Sequence, residues 1–238
     1  VKPRTFLRAV RRAVGPPDPV RRSAVFEVVR RPGPPPTERT LRLMSFNIQG
    51  GHVAPPERLA QLAGDHRPDL LALQEVDRGV PRSGGVHQAE VMAEALGMSF
   101  AFAGTLRVEG GDYGIALLSR WPLLQVARHD LVVPFTSEPR VVLEAQVAGP
   151  AGPIDVLATH ADFLPWSAAA HGRALARRAR TRMGRGLVVM GDLNAGPELP
   201  GPRALVQAGL RDALAGRDEG PTFVDPAAAG AAGVDLPG

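Results

Sequence analysis

Asp192 and Asn194 stand two residues apart in the stretch LVVMGDLNAGP, just past the apolar run Leu187 to Met190. That run suits a strand buried on both faces, and Gly191 breaks it. Where extended backbone persists, residues two apart point to one side. An ionised carboxylate only accepts hydrogen bonds, whereas an amide both donates and accepts. Such a pair can orient a water molecule and hold a phosphoryl oxygen. Gly, Asp and Asn are also the usual residues of a turn after a strand, so the pair gains weight only beside other strand ends. Three more ends supply that company: Asn47 in SFNIQGG, Glu75 in LQEVD, and His160 with Asp162 in THAD. Glu75 can give an anionic oxygen to a hard cation such as Mg²⁺ or Mn²⁺. Asn47 and Gln49 can add neutral oxygens or position that carboxylate, and His160 can donate to a phosphoryl oxygen.

The elements that must position these residues follow from pattern. Leu41 to Gln49 alternates as a strand, and Pro55 to His66 carries Leu59, Leu62 and Ala63 at helical spacing after a helix-opening Pro pair. Leu70 to Leu73 reads as a second buried strand ending in Gln74-Glu75. Val86 to Leu96 reads as a helix closed by Gly97. Five strands follow: Ser99–Ala103, Tyr113–Ser119, Leu123–His129, Arg140–Ala148 and Ile154–His160. A helix from Ser167 to about Met183 carries Arg173, Arg177, Arg178, Arg180 and Arg182, a row expected to be a solvated face. Pro202 to Gly209 gives a last short helix. Strands in two helix-flanked groups predict a four-layer α/β sandwich, two mainly antiparallel sheets packed together with helices outside.

Composition narrows the chemistry. The 238 residues contain no cysteine, which excludes disulfides and thiolate metal sites but leaves oxygen-ligated cations. Residues 1–42 hold 11 basic and 3 acidic side chains, and residues 43–238 hold 17 and 21. The positive charge therefore belongs to an Arg/Pro-rich arm, residues 1–38, expected to be a partly disordered extension with a short strand at Ser23–Val29. The domain proper is expected over 39–238. Its acidic balance disfavours a body built to lie along nucleic acid. No apolar run approaches a membrane span and no signal peptide is apparent, so a cytoplasmic, monomeric protein is expected. Arginine in place of lysine, with abundant Ala, Gly and Pro, suggests GC-rich bacterial coding.

The stretches SFNIQGG, LLALQEVD, RSGG, YGIALLSRWPL, EPRVVLEAQV, LATHAD, MGDLNAGP and PTF, in this order, resemble the endonuclease/exonuclease/phosphatase superfamily of metal-dependent phosphoesterases. The resemblance runs from Leu41 to about Phe223. It implies the sandwich fold and Mg²⁺- or Mn²⁺-dependent hydrolysis of a phosphoester by in-line attack of water. It implies that Glu75 binds the cation with Asn47 nearby. It implies that Asp192 orients the water, and that Asn194 and His160 hold the phosphate. Arg82 is open between a loop salt bridge and a substrate contact, and Arg140 between a substrate contact and a structural role.

Members of the superfamily end in a strand carrying a Ser-Asp-His motif, and no histidine follows His171 here. Asp235 is then either a remnant of the strand whose Asp orients that histidine or loop ahead of it. The chain thus reads as a member truncated at its C-terminus, its final strands missing. The alternative function is a catalytically silent or impaired remnant that keeps the fold as a binding protein. The substrate class cannot be read from these motifs.

Overall fold

The chain divides into two compact units, Val20–Leu210 and the paired ends Val1–Pro19 with Arg211–Gly238. The computed structural model describes residues 22–33, 40–132, 136, 138–184 and 186–216. Of the second unit only 211–216 is described, a turn in which the Leu214 N–H donates to Asp212 Oδ1 at 2.9 Å. The elements below all belong to the first unit.

One sheet holds β1 (Phe26–Val29), β2 (Leu43–Asn47), β3 (Leu70–Arg78), β4 (Ser99–Val108) and β5 (Gly111–Ser119), in the order β1-β4-β5-β3-β2. The other holds β6 (Leu123–Leu131), β7 (Arg140–Gly149), β8 (Gly152–His160) and β9 (Gly186–Asp192), in that order. Pairing is antiparallel except for β2 with β3 and β8 with β9. Parallel neighbours need a crossover. Helix α1 (Pro56–Asp65) makes the first, and α3 (Pro165–Arg180) makes the second. Helices α2 (Gln88–Leu96) and α4 (Pro200–Gln207) complete the outer layers.

Three apolar clusters define four layers. Leu71, Leu73 and Val76 pack with Leu59 and Ala63 of α1 and Met92 of α2. Leu70, Ala72 and Leu117 of the first sheet meet Leu143, Val147 and Val156 of the second. Val142 and Leu157 pack with Leu175 and Ala179 of α3 and Leu205 of α4. The α/β sandwich expected from sequence is therefore present. Asp235, and with it the expectation that the final strands are missing, lies outside the described residues, as does most of the N-terminal arm.

Several boundaries differ from the pattern reading. The strand from Leu70 does not stop at Glu75; it passes through a bulge and runs to Arg78. The strand read within the arm pairs with β4 at the edge of the first sheet. Ser23 there donates to Asp112 Oδ1 at 2.7 Å, so the sheet edge lies inside the arm segment. The arginine row of α3 is not uniform. Arg178 donates to Glu144 Oε2 at 2.5 Å, and Arg182 bonds the same carboxylate on β7.

Where α3 meets α4, a Cβ on Gly172 would stand 2.3 Å from Gly201 Cα. Backbone faces backbone, so neither side can yield by a rotamer change. Gly172→Ala is expected to cost about 1–3 kcal/mol as an overpacked contact. A thermal melt should show the midpoint falling by about 2–4 °C per kcal/mol.

Candidate active site

Side-chain alternation carries most of the site to one place. Leu187 and Val189 pack toward α3 and α4, while Met190 packs between the sheets. Asp192, two residues past Met190, belongs to the inter-sheet face. Likewise Val156 and Ala158 lie between the sheets, which puts His160 on that face. Met44 and Phe46 pack toward the α1 and α2 layer, which leaves Asn47 on the inner side. Register adds the lateral placement: His160 stands opposite Asp192, and Asn47 opposite Gln74. Gly191 makes the first pairing feasible. Its φ is 136°, and a Cβ there would fall 1.9 Å from the Thr159 carbonyl oxygen.

Glu75 breaks the alternation. Leu71 and Leu73 face α1 and α2, so regular backbone would send Glu75 into that apolar layer. Instead the register with β5 shifts between Leu73 and Val76, and Val76 takes the helix-facing position. Glu75 itself has φ 58°. Left-handed backbone costs a non-glycine residue about 1–2 kcal/mol, and here it re-aims one carboxylate.

Asn47 joins the two sheets at the edge where β2 and β9 end. Its Nδ2 donates to Glu75 Oε1 at 2.9 Å and to Asp192 Oδ2 at 3.2 Å. Its Oδ1 accepts the Gln49 N–H at 3.1 Å. Asp192 Oδ1 accepts the Asn194 N–H at 2.8 Å, and Asn194 has φ 49°, a tight turn on the strand end. Asn194 Nδ2 donates to the Ala161 carbonyl at 2.9 Å and meets His160 Nε2 at 3.1 Å. Both amide hydrogens are used, so Nε2 is the acceptor and the ring proton sits on Nδ1. His160 Nε2 is also 3.9 Å from Asp192 Oδ2.

Burial sets the charge states. Burial pushes the Glu75 carboxyl above its usual range, Asp192 adds to this, and Asn47, Arg140 and Arg82 oppose it. Burial holds His160 well below the usual histidine range, reinforced by the Arg140 cation, so the ring is neutral. Behind it His171, whose Nδ1 accepts the Asp162 N–H at 3.2 Å, is brought down to about 4, chiefly by burial. Arg140 is buried and contacts Glu138 at 2.7 Å. Glu138 is itself raised by burial, with Glu75 and Asp162 adding to the shift and Arg140 and Arg82 opposing it.

Asn47, Glu75, His160, Asp192 and Asn194 are thus brought together. Arg140 sits beside them as the cation that acts on Glu75 and His160. Arg82 is held by both oxygens of Asp77, each at 2.8 Å, with its guanidinium 5.7 Å from the Tyr113 ring centroid. Asp235 lies outside the described residues. Two members of the cluster were not singled out from sequence, Glu138 and Tyr113, although both fall in stretches that carry the resemblance. Tyr113 is held well above its usual range by burial and then by Glu138 and Glu75.

The donor set suits a hard divalent cation. Glu75 and Asp192 are two carboxylates bridged by a single neutral amide, and Glu75 is already strained toward its neutral form. Among the described residues no group of three or more His, Cys, Asp or Glu converges as a closed cage. An open site with one or two carboxylates, completed by water and substrate oxygens, is how Mg²⁺ is usually held.

A four-layer sandwich with carboxylate, amide and imidazole at the ends of its parallel strand pairs defines the class, an α/β sandwich of the phosphoesterase kind. The chain belongs to the Endonuclease/Exonuclease/phosphatase family, whose model matches residues 44–236. That family consists in general of hydrolytic phosphoesterases that use divalent metals. No curated protein matches the chain. Among solved structures, an endonuclease/exonuclease/phosphatase from Beutenbergia cavernae is 23% identical with TM-score 0.57, over 72% of this chain and 54% of that one. A mannosyl-6-phosphatase of Bacteroides thetaiotaomicron is 19% identical with TM-score 0.55, over 71% of each chain. TDP2 of D. rerio complexed with single strand DNA product is 17% identical with TM-score 0.53, over 73% and 66%. These likenesses show the fold. The chain spans little more than half of the Beutenbergia protein.

A carboxyl whose folded pKa is raised stabilises the fold below its unfolded pKa. That contribution is lost as pH rises through the folded value. Ionised Glu75 therefore costs stability at neutral pH in the metal-free protein. Glu75→Gln keeps an oxygen for the Asn47 amide and removes the charge. Its metal-free melting temperature at neutral pH is expected to rise by a few degrees, and the gain should vanish in acid, where wild-type Glu75 is protonated. A fall at neutral pH would show that the carboxylate is a net stabiliser.

Proposed function

We propose that this chain hydrolyses a phosphoester by attack of a water molecule that Asp192 orients, next to a divalent cation held by Glu75 with Asn47 and Asp192. The observation that carries the reading is the Asn47 amide shared by Glu75 and Asp192, one carboxylate from each sheet. Bound there, Mg²⁺ or Mn²⁺ would act as a Lewis acid on the phosphoryl group.

The chain's own groups divide the remaining work. Asp192 Oδ1 accepts the Asn194 backbone N–H and Oδ2, on the His160 side, accepts the Asn47 amide, so water would use the second lone pair of Oδ2. His160 is a poor base because burial and Arg140 depress its affinity for protons. The neutral imidazole accepts from Asn194 at Nε2, which leaves its Nδ1–H as the one donor that could hold a phosphoryl oxygen without adding charge. Asn194 fixes the ring from Nε2; to hold the phosphate its amide would give up one of its two present bonds, to Nε2 or to the Ala161 carbonyl. Arg140 keeps Glu75 ionised at lower pH than burial alone would allow.

Hydrolysis of bis-p-nitrophenyl phosphate, p-nitrophenyl phosphate and a DNA oligonucleotide should be compared with and without Mn²⁺ and chelator. Asp192→Asn is expected to lower the metal-dependent rate by about 10²–10⁴. Glu75→Gln should weaken Mn²⁺ binding by more than tenfold in a calorimetric titration. Metal binding without turnover of any substrate would favour the silent-remnant reading instead.

The pH profile supplies a further expectation. Mn²⁺ binding needs ionised Glu75, so in a calorimetric titration the affinity should fall with decreasing pH, starting above the ordinary glutamate range. Arg140→Gln removes a cation that holds the metal-free Glu75 pKa down, so the fall should start at still higher pH. A fall left in place would mean that Arg140 does not act through Glu75.

A further inference from the structure

The peptide unit between Ala161 and Asp162 leads directly out of the site, and its two polar groups are held from opposite sides. Its carbonyl oxygen accepts Asn194 Nδ2 at 2.9 Å. Its N–H donates to His171 Nδ1 at 3.2 Å. A trans peptide is planar, with N–H and C=O pointing opposite ways, so fixing one group aims the other. The same Asn194 amide nitrogen meets His160 Nε2 at 3.1 Å. A continuous line of hydrogen bonds therefore runs from His171 on α3, through one peptide plane and the Asn194 amide, to the His160 ring.

His171 is not an obvious choice for a core position. Its side chain is only 1% exposed, and the bond from the Asp162 N–H makes Nδ1 an acceptor, so the ring proton sits on Nε2. Among the described residues that Nε2 has no hydrogen-bond partner. A buried donor without an acceptor destabilises, and an apolar side chain would avoid the penalty. What His171 supplies in return is the acceptor at Nδ1. Burial keeps the ring neutral, as the accepting role requires, since a protonated imidazole has no lone pair to offer. The helix that carries His171 is firmly seated. The next residue, Gly172, meets Gly201 of α4 backbone to backbone, and Arg178 bonds Glu144 of β7. The peptide itself is less closely packed. Ala161 and His171 line one small cavity together with Thr159 and Leu193, so on that side the hydrogen bond is what restrains it.

We propose that His171 is a positioning residue for the hydrolytic site: by accepting the Asp162 N–H it aims the Ala161 carbonyl at Asn194, and Asn194 in turn keeps His160 Nε2 an acceptor and its Nδ1–H the donor. Without the acceptor at Nδ1 the peptide is free to turn. Asn194 then loses the carbonyl that orients its amide, and the amide can present Oδ1 to the ring instead. His160 would then carry its proton on Nε2. The effect on rate rests on the hydrolytic reading above; the effect on the His160 ring does not.

Two variants of the full chain separate the acceptor from the ring that carries it. His171→Leu removes the acceptor. His171→Asn puts an amide where Nδ1 stood, and its oxygen can accept. Nitrogen NMR shifts of the His160 imidazole should report protonation at Nδ1 in wild type and in His171→Asn. In His171→Leu they should report the other tautomer or a mixture. With Mn²⁺, kcat for bis-p-nitrophenyl phosphate should fall by about 10–100-fold in His171→Leu and recover most of the way in His171→Asn. Mn²⁺ affinity should stay unchanged in both, because the line of bonds does not pass through Glu75 or Asn47. Should His171→Leu fail to fold, His171→Gln, whose amide reaches toward the Nε2 position, takes its place with the same expectations. A His160 ring protonated at Nε2 in wild type, or unchanged in His171→Leu, would overturn the proposal. So would a Leu variant whose Mn²⁺ affinity falls with its rate, or an Asn variant no better than Leu, since each marks a general loosening of the fold. Absence of turnover in wild type would count against the hydrolytic reading alone, and the His160 tautomer would still decide this one.

Discussion

One amide group ties the working ends of the two sheets together. Asn47 Nδ2 bonds Glu75 on β3 and Asp192 on β9, and each of its two hydrogens serves one carboxylate. Two carboxylates in a partly buried setting repel, and each loses hydration. A neutral amide removes only part of that cost, because hydrogen bonds satisfy lone pairs but do not cancel charge. The rest of the cluster can be understood as a response. Arg140 and Arg82 lower the Glu75 pKa, the Asn194 backbone satisfies Asp192 Oδ1, and the neutral His160 brings no further charge.

Such an arrangement is held by its frame. The first sheet reaches the site through β2 and β3, the second through β8 and β9, and each pair is parallel because a helix crosses between its members. Parallel pairing brings the carboxyl ends of both strands to the same edge, so polar residues that end strands meet there. The helices α3 and α4 support the second sheet through Leu175, Ala179 and Leu205, and through the close Gly172–Gly201 crossing. Strain is accepted at two points, φ 58° at Glu75 and φ 49° at Asn194. Both are at the site, where sparsely populated backbone tends to be found because function requires it.

Arginine serves three different ends in this molecule. Arg82 closes a bidentate pair with the buried Asp77 and steadies the loop after β3. Arg178 and Arg182 converge on Glu144 and fasten α3 to the second sheet. Arg140 lies buried beside Glu138 and acts across the site on Glu75 and His160. A single residue type thus gives loop closure, helix docking and electrostatic tuning, and only the carboxylate each one meets tells them apart.

The sequence by itself determined the layers and the apolar strands that carry the polar site residues. Alternation and 3.6-residue periodicity are local properties, and they mark strands, helices and apolar faces before any tertiary contact forms. Asp192, His160, Asn47 and Glu75 were legible as polar residues that close apolar strands, and the order of their motifs matched the family. Tertiary structure decided what local pattern cannot encode. Strict alternation would bury Glu75 against α1 and α2; the bulge that turns it to the site depends on pairing with β5. The Asn47 bridge joins residues 145 positions apart in sequence. Glu138 and Tyr113 lie in stretches that carry the resemblance, but neither closes an apolar strand, so their place in the cluster shows only in their proximity to Arg140 and Glu75. Whether an arginine is solvated or engaged depended on which carboxylate the neighbouring sheet presented. Charge states likewise followed from burial and proximity, which are properties of the packed molecule and not of the chain.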